Sequence, residues 1–190
     1  MNKKVVFDVD DILWGLNKRS AKIAGIDYDK LTVYSASDNY NLTDSEKEKL
    51  ISAYSSPSTF EEIKWYRGIE ELPKLEELGA EVYINSNSFN AEIAELKREQ
   101  LKSVLDFDDD RFILNIISDC KKKDIGDNVF CFVDDSPYNI KRSTAKHNIM
   151  IWQPWNSSES AKEVIGDKDV IMTDNLEEVI ELVNNLLKSA

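Results

Sequence analysis

The feature that most restricts how this chain can fold is an alternation. Short apolar runs at Val5 to Phe7, Val82 to Ile84, Phe112 to Ile117, Val129 to Val133, Ile149 to Trp152 and Val170 to Met172 are separated by stretches of helical pattern. Runs this short read as buried strands, and strands alternating with amphipathic helices predict a mainly parallel sheet covered on both faces. Residues 89 to 105 set Phe89, Ile93, Leu96, Leu101, Val104 and Leu105 largely on one helical stripe. Asn175 to Leu187 repeats the pattern, with Asp174 expected to cap its start. Pro137 is expected in the first turn of a helix, where its missing N–H costs little.

The alternation is broken once. Residues 15–67 hold no convincing strand, although Thr43 and Glu46 make a capping box ahead of a helical pattern. They read as a small helical insertion after the first strand, leaving residues 1–14 and 68–190 as the core. The expected fold is α/β, a three-layer Rossmann-like parallel sheet with that insertion as a cap. Ligands in open α/β sheets bind outside the C-terminal ends of the strands, so the insertion would roof that crevice.

Charge narrows the ligand. With 24 Lys+Arg against 36 Asp+Glu, the net charge is -12, and such a surface repels a phosphate backbone. No polymeric nucleic acid is expected as a partner. A small phosphorylated ligand remains open if a metal supplies positive charge locally. The start, MNKKVVFDVDDIL, is too short in apolar residues for a secretory signal, and no run approaches the roughly 20 residues that span a bilayer. A cytoplasmic protein with no membrane partner is expected; oligomeric state is not readable. Cys120 and Cys131 match no metal or redox spacing and read as thiols in or near the core of a reduced protein.

Four groups of chemistry-bearing residues fall at expected strand ends: Asp8 with Asp10 and Asp11, Ser86 with Asn87, the run Lys121, Lys122 and Lys123, and Asp134 with Asp135. Singly, each is an ordinary solvated loop or helix cap. In a parallel α/β sheet they converge on one crevice, and phosphoryl transfer needs that set. A phosphomonoester dianion repels a carboxylate nucleophile unless a hard divalent cation such as Mg²⁺, bound by oxygen ligands, sits between them. Lysine, hydroxyl and backbone N–H groups match charge on the phosphoryl oxygens, and a second carboxylate can protonate the departing alkoxide.

The residues also carry a resemblance. Phe-Asp8-Val-Asp10-Asp11-Ile-Leu-Trp resembles the first motif of the haloacid dehalogenase (HAD) superfamily of aspartate-nucleophile phosphatases, INSNS its second, CKKKD its third and FVDDSPYNI its fourth. VYINSNS, KREQLK, VDDSPYNI, MIWQPWN and WYRGIEELPKLEEL are similar to 5′(3′)-deoxyribonucleotidase-like proteins. The resemblance covers most of residues 3–156 and is weakest within residues 16–60. It implies a Mg²⁺-dependent phosphomonoesterase acting on a nucleoside monophosphate. Asp8 would be the nucleophile and Asp10 the general acid and base, with its backbone carbonyl on the metal. Ser86, Asn87 and one of Lys121, Lys122 and Lys123 would hold the phosphate, and Asp134 or Asp135 would complete the metal site beside Asp8. Asp11 stands where many of these nucleotidases have glycine and adds a carboxylate near the leaving group.

For the substrate's organic part, Trp14, Trp65 and Tyr66 could stack a base and Arg67 could meet a phosphate or carbonyl; packing between insertion and core is the competing reading. His147 lies away from every motif, Trp152 and Trp155 read as structural, and the acids at 106–110 read as a solvated loop. The alternatives are a phosphatase for another small phosphorylated metabolite and a non-catalytic phosphate-binding or receiver-type module. A receiver places a lone acceptor aspartate mid-chain, and no strand-end aspartate falls between residues 11 and 134 here.

Overall fold

In a computed structural model of the protein, which describes residues 2–61, 63–116 and 126–190, the apolar runs form six strands. These are β1 (Lys3–Phe7), β2 (Ala80–Ser88), β3 (Phe112–Ile116), β4 (Val129–Val133), β5 (His147–Ile151) and β6 (Ile171–Thr173). The sequence of β4, VFCFV, is buried at every position, as expected of a strand covered on both faces. The sheet order is β3-β2-β1-β4-β5-β6 and every pairing is parallel. Phe7 at the end of β1 pairs with both Ile84 and Val133. The chain therefore reverses its direction of sheet building at β1, and a crevice opens beyond the ends of β1 and β4.

The helices pack as their patterns require, with informative exceptions. In α4 (Ala91–Val104), capped by Asn90, the stripe facing the core is Ile93, Lys97 and Leu101, while Phe89 and Val104 lie largely exposed. The α5 helix (Pro137–Arg142) begins on Pro137, and α6 spans Glu159–Ile165. In α7 (Leu176–Lys188) the cap is Asn175, not Asp174. The Asn175 side chain accepts the Glu178 N–H at 3.0 Å, whereas Asp174 donates its own N–H to the Glu178 carboxylate. His147 opens β5 and packs edge-on against Phe130, 5.0 Å between ring centres. Cys131 is a buried free thiol in β4; Cys120 lies outside the described residues.

Between β1 and β2 the described residues form α1 (Leu16–Ala24), α2 (Asp44–Tyr54), α3 (Pro57–Phe60) and 3-10 turns at Tyr28–Lys30, Ala36–Asp38 and Ile69–Leu78, with no named strand. Thr43 and Glu46 close the capping box that starts α2. Ala21, Ile26, Leu31, Leu42 and Leu50 form a small apolar cluster of this insertion, and Trp155 from the loop after β5 completes it. No described helix is long and apolar enough to cross a membrane.

Candidate active site

At the end of β1 the chain is pinned to its neighbour, because the Asp8 N–H donates to the Val133 carbonyl at 2.9 Å. The carboxylates of Asp8, Asp134 and Asp135 are thereby brought together, with ligand oxygens within 4.8 Å of one another, and all three residues are buried. Asp134 is oriented by the start of α5, accepting the Ser136 N–H at 2.8 Å and the Asn139 amide at 3.0 Å. Asp135 accepts the Trp155 indole N–H at 2.8 Å. Burial, followed by the charges of Asp134, Asp11 and Asp8, pushes the Asp135 carboxyl well above the usual carboxylate range. Three crowded, buried carboxylates, with the ionisation of Asp135 disfavoured, suit a hard divalent cation: the donors are all oxygen, and the ion's charge would relieve the repulsion.

A second cluster lies beside the first. Ser86 is fully buried within β2, and the Lys97 ammonium on α4 reaches it at 3.1 Å. The same ammonium donates to the Asp10 carboxylate at 2.5 Å and to the Asn87 carbonyl at 2.8 Å. A buried ammonium is tolerated only when its donors are satisfied, and here three acceptors meet three N–H bonds. Asp10 is also held from its other side, accepting the Trp14 indole N–H at 2.8 Å.

Lys97 is absent from the sequence candidates, which placed the phosphate-binding lysine at Lys121, Lys122 or Lys123. Those three residues lie outside the described residues. The sequence does mark Lys97: with Ile93 and Leu101 it occupies every fourth position, so a lysine stands in the middle of the buried stripe.

Asp11 is the third acid of the loop. Its φ of 59° lies in the left-handed region that favours glycine, although aspartate is among the residues that enter it with least difficulty. Burial, then the charges of Asp10 and Asp8, raise its proton affinity, and hydrogen bonds from Asn17 oppose that.

The crevice continues into a cavity of about 620 Å³, lined by Asp10, Asp11, Asn87, Ser88, Lys97 and Asp135 on the floor, and by Leu16, Asn17, Tyr34, Ser35, Ala36, Ser37, Ile51, Tyr54, Phe60, Phe89 and Ile93 around it. Tyr54 and Phe89 stack there, with ring centres 5.8 Å apart and planes 15° apart. The aromatic residues expected to meet a base are elsewhere. Trp14 is fully buried against Trp65 and Phe60, at 4.8 and 5.9 Å between ring centres. Trp65 and Tyr66 are half-buried and pack on the same core. Arg67 is turned outward, its side chain 88% exposed and 3.6 Å from Glu177. None of the four lines the cavity. Their placement follows the competing reading, packing between insertion and core: large flat residues beside β1 find apolar neighbours in the core, and the Trp14 indole N–H orients Asp10. Tyr34, Tyr54, Phe60 and Phe89 are the aromatic residues that face the cavity.

No protein-family model matches the sequence, and no curated protein matches it. Solved structures do share the architecture over nearly the whole chain. A haloacid dehalogenase-like family hydrolase from Streptococcus pneumoniae superposes with a TM-score of 0.60 at 12% identity, over 95% of this chain and 98% of that one. The beta-phosphoglucomutase of Clostridium difficile gives 0.55 at 14% identity, over 100% and 98%. A HAD-superfamily hydrolase of subfamily IA from Geobacter sulfurreducens gives 0.51 at 12%, over 96% of each chain. The chain has the Rossmann-like fold of these HAD hydrolases.

Proposed function

We propose that this protein is a Mg²⁺-dependent phosphomonoesterase that hydrolyses nucleoside monophosphates, in the manner of 5′(3′)-deoxyribonucleotidase-like enzymes, through a phosphoryl group carried on Asp8. The observation that carries the reading is the meeting of two clusters at one crevice, the carboxylates of Asp8, Asp134 and Asp135 and the Lys97, Ser86 and Asp10 group.

Asp8, Asp134 and Asp135 would hold Mg²⁺, which when bound offsets repulsion between carboxylate and phosphate and polarises the phosphoryl oxygens. A phosphate dianion arriving in the crevice takes the N–H bonds of Lys97 and the hydroxyl of Ser86 onto its oxygens, so Asp10 is released from the lysine and takes up a proton from solvent while the Trp14 N–H still orients it. An Asp8 oxygen attacks phosphorus, and the bond to the ester oxygen breaks as Asp10 protonates the leaving alkoxide. Asp10 then accepts a proton from water as that water attacks phosphorus, releasing inorganic phosphate and restoring Asp8.

The cavity supports the substrate class. Lys97 is the only cation among its described lining residues, which suits one phosphate and disfavours a polyphosphate chain. Tyr34, Tyr54, Phe60 and Phe89 offer flat apolar faces, while Asn17, Ser35 and Ser37 offer hydrogen bonds, a combination that fits a base and sugar. The volume lies within the roughly 300–1,000 Å³ usual for small-ligand sites.

Phosphate release measured across nucleoside monophosphates, sugar phosphates and a small aryl phosphate tests this. The expected result is highest kcat/KM on a nucleoside monophosphate, loss of turnover on chelation and recovery with Mg²⁺. Preference for a sugar phosphate would leave the phosphatase chemistry and remove the nucleotide. No release from any ester would remove both.

A further inference from the structure

A glycine would fit the backbone at position 11 more easily than the aspartate that is there, and a carboxylate buried beside Asp8 and Asp10 is electrostatically costly. What the carboxylate touches shows what it does. It accepts the Asn17 backbone N–H at 3.2 and 3.3 Å and the Asn17 side-chain amide at 2.8 Å. The cap position of α1 is Gly15, which supplies no side-chain cap, so Asp11 performs that task from the preceding loop. The oxygen of the same Asn17 amide accepts the hydroxyl of Tyr54, the last residue of α2. With both ends of its amide engaged, Asn17 has one orientation, and Tyr54 is fixed as the donor. The Tyr54 ring is the one that stacks on Phe89 at the cavity. A second arm leaves the Asp11 carbonyl, which accepts the Gln153 amide at 3.0 Å, while the Gln153 oxygen accepts the Tyr28 hydroxyl at 2.9 Å.

We infer that Asp11 is a positioning residue for the organic half of the substrate: it joins the loop bearing the nucleophile to the insertion and, through Asn17, fixes the Tyr54 ring against Phe89 over the cavity. The inference rests on the reading of that cavity as the leaving-group site. Asp11 takes no proton in the reaction and touches neither Lys97 nor Ser86 in the described contacts. Its removal should loosen one end of the substrate and spare the other.

Asp11→Gly tests this cleanly, because the glycine-suited backbone and the loss of a buried carboxylate offset the lost helix cap, and the variant should fold with a Tm close to that of the wild type. KM for a nucleoside monophosphate should rise roughly 5-fold to 50-fold, the effect of losing one or two hydrogen bonds. kcat for a small aryl phosphate should change by less than about threefold on the same reasoning. Asp11→Asn, which keeps one acceptor oxygen, should recover most of the KM. With fluorotyrosine incorporated, the ¹⁹F resonance of Tyr54, assigned with Tyr54→Phe, should shift or broaden in Asp11→Gly. An unchanged Tyr54 resonance, or equal loss on both esters, would overturn the inference. If the wild type shows no preference for nucleotides while the Tyr54 resonance still moves, the substrate assignment has failed and the positioning role stands.

Discussion

The floor and the roof of the cavity are made of different groups held in different ways. On the floor, Asp8, Ser86, Asp134 and Asp135 at the ends of β1, β2 and β4 and Lys97 on α4 are all nearly or fully buried, and hydrogen bonds join Asp10, Ser86 and Lys97 into one connected set. The roof presents Tyr34 and Phe89 at 40% exposure each, with serines and Asn17 between them. Charge in a rigid, water-poor setting governs bond making, since small displacements there are costly. On the proposed reading, neutral aromatic surface governs which ester is held, and can change without disturbing the chemistry. The two regions touch through few side chains, Asp11 with Asn17 and Asp135 with Trp155 among them.

That contrast breaks most readily at Lys97. Lys97→Met removes the cation that faces the phosphoryl oxygens and should lower kcat/KM by about a thousandfold or more on every phosphate ester, comparable to removing a transition-state donor. Thermal stability should fall as well, by up to about 3–5 kcal/mol, because removing one partner of a buried ion pair leaves the Asp10 carboxylate uncompensated, so the rates are to be measured below the lowered Tm. Steady-state kinetics on two esters together with a melting curve decide it; retention of more than about a tenth of the wild-type rate, a loss under about 1.4 kcal/mol of barrier, would remove Lys97 from the reaction. Tyr54→Ala sets the roof against this. KM for a nucleoside monophosphate should rise roughly 5-fold to 150-fold, the range for one lost base-stacking contact, with little effect on a small aryl phosphate. Equal damage to both esters would make Tyr54 a packing residue.

A smaller effect sharpens the account of the floor. The carboxyls of Asp11 and Asp135 are both raised, so between the unfolded carboxylate range and their folded values the native state binds more protons than the unfolded chain. Stability from these groups therefore falls as pH rises through that window. The metal-free protein should lose stability as pH rises above the unfolded carboxylate range, and Mg²⁺ at a hundred times its Kd should add about 2.7 kcal/mol at pH 8, with a smaller gain at pH 5. A Mg²⁺ effect that is equal at both pH values would mean the ion binds elsewhere.

Much of the floor is legible without coordinates. Short apolar runs locate strand ends, and Asp8, Asp10, Ser86, Asp134 and Asp135 stand within three residues of such ends, so topology alone predicts that they meet. Lys97 escapes because its partner Asp10 is 87 residues away in the chain and a lysine on a helix is ordinarily solvated. The roof is less legible for a related reason. Tyr34, Tyr54 and Phe89 come from a turn, a helix end and a strand end, and no single period brings their rings together. Trp14 and Trp65, more conspicuous in the sequence, were drawn into the core by the area they bury.

On the proposed reading, Asp8 carries the phosphoryl group. Enzyme turning over a nucleoside monophosphate can be quenched with borohydride, which reduces an acyl phosphate but leaves a free carboxylate untouched, and then mapped by peptide mass spectrometry. Conversion of Asp8 to homoserine, dependent on substrate and on Mg²⁺ and absent in Asp8→Asn, is the predicted result. Steady turnover with Asp8 unmodified, or with an Asp8→Asn variant of near wild-type rate, would contradict it.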